Sequence, residues 1–286
     1  MLPTFYCVGT QKAGTTWLYD CLVEHPDVFL PEHKEVNWFR AWAGKPSLYE
    51  GHGLAPYERL FDEANGQKAR GDISPGLLGA RCAEILHDIS PDATVIAILR
   101  DPAERAHSHY HMLAGRHRMP FDFDELLEDP TREDPHEILY EGYYARHLRP
   151  FVERFDRVVV LRFEDLRRGP EQLFEEVCRI LEVDPSVRPS ALTKKSNAAG
   201  SYRVRALYEL RVAVAERLAR SRFDWIRVAL RRAGLPRLVD RLGRKTAPNA
   251  PLTPRQRARL QAIYADDVRE LEALLGQDFG AWLEPR

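Results

Sequence analysis

Eight residues near the start of the chain, Gly9-Thr10-Gln11-Lys12-Ala13-Gly14-Thr15-Thr16, place two glycines, a lysine and paired hydroxyls directly behind an apolar run, Phe5-Tyr6-Cys7-Val8. A strand that turns through glycine into a helix makes an anion cradle. The backbone N–H groups of a helix N-terminus point outward, and the helix dipole favours negative charge there. Gly9 and Gly14 let the backbone turn tightly and approach a phosphate. Lys12 adds a full positive charge, and Thr15 and Thr16 add hydroxyls that can also cap the helix.

The spacing Gly9 to Gly14 fits the G-x-x-x-x-G frame of a Walker-type phosphate loop, but that motif puts lysine directly after the second glycine. Thr15 stands there instead, and the lysine lies inside the loop at Lys12. A nucleotide phosphate is implied, and the usual arrangement for a magnesium-bound triphosphate is not. A P-loop-type nucleotide kinase or hydrolase is thus one alternative, and a non-catalytic nucleotide-binding protein is another. Glycine-rich strand-to-helix turns also occur in α/β proteins that hold no ligand. A second segment, Ile98-Leu99-Arg100-Asp101-Pro102-Ala103-Glu104-Arg105-Ala106-His107-Ser108-His109-Tyr110, again puts a cation at the end of an apolar run. An arginine there can grip a phosphate through two parallel N–H bonds. The alternative is that it pairs with Asp101 or Glu104 on the surface.

The elements that must position these residues read as buried parallel strands at 5–8, 94–99 and 158–163, with a shorter one at 69–72. Helical patterns at 15–24, 77–88 and 170–181 alternate with them. The pattern predicts a three-layer α/β/α fold with a central parallel sheet, a P-loop-like phosphate loop and one domain over 1–286. Ligands of such sheets bind beyond the carboxyl ends of the strands, where Gly9 and Arg100 both fall. Thr253-Pro254-Arg255-Gln256 has the form of a helix start, and Gly276 that of its stop, giving a mainly helical C-terminal part.

The loop and the second segment together resemble sulfotransferases that use 3′-phosphoadenosine-5′-phosphosulfate (PAPS), most closely the heparan sulfate sulfotransferase-like branch and its bacterial relatives. The resemblance implies a PAPS-dependent sulfotransferase that moves sulfate to a hydroxyl of a carbohydrate or secondary-metabolite acceptor. It assigns Gln11, Lys12, Ala13, Gly14, Thr15, Thr16 and Trp17 to the 5′-phosphosulfate loop, with Lys12 bridging sulfate and leaving phosphate. Arg100 and Ser108 fall on residues that bind the 3′-phosphate in relatives. A polar loop at 195–203 corresponds to one that closes over the 3′-phosphate and adenine, with Tyr202 and Arg203 as candidates.

Pro31-Glu32-His33-Lys34-Glu35-Val36-Asn37-Trp38-Phe39 resembles the K-E-x-x-F-F element of the heparan sulfate branch, whose glutamate deprotonates the acceptor. Glu35 falls on that glutamate. A partly buried carboxylate beside aromatics has a raised pKa, which suits proton abstraction near neutral pH. His33 stays a rival base, because small-molecule sulfotransferases of the cytosol use a histidine. Gly71-Asp72-Ile73-Ser74-Pro75 resembles the G-E-K-[ST]-P element, with Asp72 and Trp38 as acceptor-side candidates. Ile73 stands where polysaccharide enzymes carry a substrate-binding lysine, which argues against a heavily sulfated polysaccharide. For Asp72 a structural hydrogen-bonding role is equally open.

Composition sets the outer bounds. The 286 residues carry a formal net charge of -1, so no global pull toward nucleic acid is expected. Four scattered cysteines, Cys7, Cys21, Cys82 and Cys178, form no C-x-x-C pair and read as buried free thiols. His107, His109, His111 and His117 cluster without an acidic or cysteine partner in a metal pattern, so no metal is expected. No stretch approaches the roughly 20 apolar residues that span a bilayer, which predicts a soluble, cytoplasmic protein. Residues 203–247 carry thirteen Lys/Arg against four Asp/Glu, interleaved with apolar side chains. That stretch reads either as helices with a solvated basic face or as a contact surface for a carrier protein or membrane.

Overall fold

The computed structural model describes residues 1–41, 45–115, 119–130, 137–193, 201–202, 244–245 and 250–285. Five parallel strands form the sheet: β1 (Phe5–Gly9), β2 (Val28–Phe29), β3 (Ala69–Ile73), β4 (Thr94–Leu99) and β5 (Val158–Arg162), in the order β2-β3-β1-β4-β5. β1 pairs with β3 through Phe5 and Gly71 and with β4 through Phe5 and Thr94. The chain leaves β1 for the β3 side and returns to the other side at β4. The carboxyl ends of β1 and β4 therefore flank the point where strand order reverses, the usual ligand position in an open parallel sheet.

Helices α1 (Thr15–Leu22), α2 (Leu48–His52), α3 (Ala55–Glu58), α4 (Ala80–Ile89), α5 (Pro102–Ala114), α6 (Phe123–Glu128), α7 (Tyr144–Val152), α8 (Phe163–Arg168), α9 (Pro170–Ile180) and α10 (Pro254–Leu275) connect or follow the strands. Alternation along β1 divides its side chains between two layers. Phe5 and Cys7 join one apolar cluster with Trp17, Leu18 and Leu22 of α1 and Phe174 and Val177 of α9. Tyr6 points the other way, and its hydroxyl donates to Ser90 Oγ at the end of α4 (3.1 Å). Both faces of the sheet are thus covered by helices, as expected. All four cysteines are buried and free.

α10 has the expected ends. Thr253 Oγ1 accepts from Gln256 N, Gln256 Oε1 accepts from Thr253 N, and Gly276 closes the helix at φ 64°. Other boundaries differ. A 3-10 turn, Pro75–Leu77, precedes α4, which begins at Ala80 rather than 77. β5 ends at Arg162, where the backbone passes straight into α8 at Phe163.

The chain gathers into two compact units, Met1–Ala106 with Pro130–Asn197 and Leu252–Arg286, and His107–Asp129 with Ala198–Pro251. The first holds the sheet. The second holds the later turns of α5, α6 with its Asp122/Glu125 capping box, and a two-stranded antiparallel ladder, β6 (Ser201–Tyr202) with β7 (Arg244–Lys245). No helix among the described residues is long and apolar enough to cross a membrane.

Candidate functional site

The first glycine-lysine loop is shaped as an anion cradle. Lys12 and Gly14 both take left-handed backbone, at φ 70° and 97°. Such backbone at a non-glycine residue costs on the order of 1 kcal/mol and persists where neighbours hold it. Contacts from the β4 side hold the loop: Thr10 N donates to Ile98 O of β4 (2.8 Å), and Arg100 Nη1 donates to the Lys12 carbonyl (3.2 Å). Gly14 is the N-cap of α1, with no side-chain cap. Thr15 and Thr16 therefore do not cap the helix as the sequence suggests; they are its first two residues. The first helical bond runs from Leu18 N to Gly14 O, so the N–H groups of Thr15, Thr16 and Trp17 precede the ladder.

A side chain at position 14 has no room, since its Cβ would lie 2.8 Å from Leu166 Cδ2 of α8. Ala13 is fully buried in the core cluster. Trp17 also faces the core, packing edge-on against Phe174 and donating its indole N–H to Leu192 O (3.3 Å). Both can meet a ligand only through their backbone. Gln11 points elsewhere, and its amide donates to Glu141 Oε1 (3.1 Å).

Arg100 leaves β4 beside this loop. Its guanidinium is 4.9 Å above the Phe163 ring, and Nη2 reaches Glu104 Oε2 at 3.4 Å, so the local pairing with Glu104 does form. Burial pulls its pKa below the ordinary value, and Glu104 opposes that pull. The strand exit is fixed further on both sides. The Tyr144 hydroxyl donates to the Arg100 carbonyl (2.8 Å), and Asp101 Oδ1 accepts from Ala103 N and Glu104 N at the start of α5. Arg257 of α10 reaches Asp101 Oδ2 (3.1 Å) and Glu104.

The segment 31–41 docks on the carboxyl end of β3. Glu35 N donates to Ile73 O (3.2 Å), Asn37 N donates to Ser74 Oγ (3.1 Å), and Ser74 N donates to Cys7 O of β1 (3.1 Å). Glu35 and Asn37 sit at positive φ, 63° and 48°. The Glu35 side chain is 48% exposed and paired with Lys34 Nζ at 2.5 Å. It is thus an accessible carboxylate beside a cation, not the partly buried group expected. His33 is exposed on the same segment. Trp38 donates its indole N–H to Gly53 O (3.0 Å) and packs on His52 and Tyr57.

Asp72 is buried at 1% exposure. The Tyr57 hydroxyl donates to Oδ2 (2.9 Å) and the Ser74 hydroxyl to Oδ1 (2.6 Å). Burial pushes its pKa up to about 6, and the two hydroxyls only partly offset this.

Ser108 and Tyr202 lie in the second unit, and Arg203 lies outside the described residues, as does nearly all of 203–247. In that unit His107 and His111 approach at 2.9 Å between ring nitrogens and pack on Phe123. Among the described residues no group of three or more metal-ligating side chains converges.

A family model described as "Sulfotransferase family" matches residues 77–186. A sulfotransferase structure from Alicyclobacillus acidocaldarius superposes over 99% of this chain and 100% of its own, with TM-score 0.70 and 25% identity. The chain is thus similar to sulfotransferases in sequence and in fold. Human carbohydrate sulfotransferase 15 is 26% identical over 71% of this chain and 48% of its own length. A mouse bifunctional heparan sulfate N-deacetylase/N-sulfotransferase 4 is 27% identical over 64% of this chain and 23% of its own. The chain spans about half or less of the length of these curated relatives.

Sequence reasoning missed a buried ionic group beside the phosphate loop. Glu141, in the turn Tyr140–Gly142, accepts from Gln11, from Arg40 Nη2 (3.4 Å) and from Arg105 Nη1 (3.2 Å). Arg105 is fully buried. Burial pushes the Glu141 pKa up to about 6, against the pull of Arg105 and Arg40. A lone glutamate 130 residues from its loop partner has no local pattern to mark it. An arginine five positions after Arg100 was visible, but its full burial follows only from packing.

Proposed function

We propose that the chain transfers the sulfuryl group of PAPS to a hydroxyl of an acceptor, with a carbohydrate as the favoured class. The carrying observation is the uncapped N-terminus of α1 at the sheet's reversal point, ringed by left-handed Lys12 and Gly14. An N-terminus of this kind suits a bound phosphate by its donors alone. The residues fit the nucleotide: the N–H groups of Thr15, Thr16 and Trp17 would hold the 5′-phosphate, and Lys12 would neutralise charge on the oxygen that leaves. When bound, PAPS supplies the sulfuryl group, and 3′-phosphoadenosine-5′-phosphate (PAP) departs.

Glu35 is the base in this reading. It takes the proton from the acceptor hydroxyl as that oxygen bonds to sulfur and the bond from sulfur to the 5′-phosphate oxygen breaks. Its position on a segment docked at the carboxyl end of β3, with the carboxylate open to an incoming hydroxyl, supports that role. His33 is the second candidate on the same segment. The assignment of Arg100, Ser108, Tyr202 and Arg203 to the 3′-phosphate rests on the sequence resemblance alone. The carbohydrate class draws on the names of the human and mouse relatives.

Calorimetry with PAP and with magnesium ATP tests the reading. PAP is expected to bind more tightly, and tighter binding of magnesium ATP refutes it. PAP binding without sulfate transfer to any of a broad acceptor panel would instead favour a non-catalytic nucleotide-binding protein.

A further inference from the structure

Glu141 is held by its own turn before it holds anything else. The Tyr264 hydroxyl of α10 donates to the Leu139 carbonyl (2.9 Å), and a Cβ on Gly142 would lie 2.6 Å from the Tyr264 ring. Arg105 of α5 donates to the Ile138 carbonyl, and the His147 ring of α7 meets the Tyr140 carbonyl at 2.9 Å. Three helices therefore fix the carboxylate from behind. Its front is shared by two mobile-length side chains from the candidate site. Gln11 reaches Oε1 from the phosphate loop at 3.1 Å, and Arg40 reaches the same oxygen from the end of the Glu35 segment at 3.4 Å. Arg40 also pairs with Glu137 (3.2 Å).

We propose that Glu141 is a positioning residue that registers the phosphate loop, through Gln11, against the segment bearing Glu35. The inference rests on the PAPS reading of that loop. It assigns Gln11 a role the sequence does not suggest: its side chain anchors the loop from outside, while the loop backbone faces the nucleotide. Donors aimed at a phosphate act best when their geometry is set before binding, so loosening this anchor weakens the 5′-phosphate contact and little else.

The test exchanges donor and acceptor. Gln11→Glu sets two carboxylates against each other at the present 3.1 Å bond. Glu141→Gln leaves an oxygen for Gln11 but removes the charge facing buried Arg105 (3.2 Å), so its folding is checked by urea unfolding. The double variant re-forms the bond with its polarity reversed. PAP affinity is read by calorimetry, with adenosine 3′-monophosphate, which lacks the 5′-phosphate, as the second ligand. Gln11→Glu is expected to weaken PAP about 30-fold, Glu141→Gln about 3-fold or less, and the double variant to return to within about 5-fold of wild type, the non-additivity of groups in direct contact. Adenosine 3′-monophosphate should bind all four proteins alike. Gln11→Leu, which leaves the Arg105–Glu141 ion pair intact, must by itself weaken PAP about 10-fold while sparing adenosine 3′-monophosphate. A double variant as weak as the product of the two single effects overturns the inference while leaving the PAPS reading intact. Wild-type protein that fails to bind PAP overturns the reading, and the inference with it.

Discussion

Asp72 makes a sharp forecast because its environment opposes its charge. The carboxylate is buried at the end of β3, and what offsets its burial is two hydroxyl donors. Its pKa rises from the ordinary 3.8 to about 6 in the folded chain. Between those values the folded protein keeps a proton that the unfolded chain has released. Stability therefore falls as pH rises from about 4 to 6, and the full penalty is present above the folded pKa. Two pKa units correspond to about 3 kcal/mol. Asp72→Asn removes this titration while leaving an amide able to meet Tyr57 and Ser74. Urea unfolding of both proteins from pH 4 to 8 is the assay, because every other group cancels in the difference. The variant should gain about 3 kcal/mol relative to wild type between pH 4 and 7. A difference that is flat with pH, or that moves the other way, refutes the burial argument.

Glu35→Gln should keep PAP affinity within about twofold while sulfate transfer from labelled PAPS falls at least roughly 100-fold, the range of a lost general base; near-normal turnover assigns the base elsewhere. Lys12→Ala should lower transfer by a similar or larger factor, read in the same assay. Gly14→Ala forces a Cβ toward Leu166 at 2.8 Å on left-handed backbone, so it should lose about 1–3 kcal/mol in urea unfolding and weaken PAP binding. Arg257→Ala leaves Asp101 buried without its cation and beside the like charge of Glu104, and should cost about 3 kcal/mol by the same unfolding measurement.

The parts of this molecule that were legible in the sequence are those decided within a few residues. β1 and β4 are continuous apolar runs because both faces of the sheet are covered, and α10 is bounded by a capping box and a terminal glycine that act locally. β2 went unseen: two residues, Val28 and Phe29, carry no periodicity, and they form a strand only because Ala69 and Arg70 of β3 pair with them. Ser47 and Glu50 do form a capping box, but for a helix only five residues long. In the site, Lys12 and Gly14 were marked by residue type and spacing. Asp72 was marked by type and misplaced by environment, since the Tyr57 and Ser74 hydroxyls that seal it come from fifteen and two residues away.

Arg100 shows why a cation's position in a motif does not settle its work. The guanidinium has five donors, and the structure engages one nitrogen with the Lys12 carbonyl and another with Glu104. The first of these holds the loop residue whose left-handed backbone aims the cradle. The second sets a carboxylate beside the same charge, and any phosphate arriving there must displace or share it. Arg257 bears on that competition, because it takes the other oxygen of Glu104 and so draws part of its charge toward α10. The exit of β4 therefore works as one ionic unit, in which a C-terminal helix tempers the carboxylate that guards the arginine. An arginine so arranged shapes the Gly9–Gly14 loop from beneath, and its contacts with the loop and with Glu104 rest on different N–H groups.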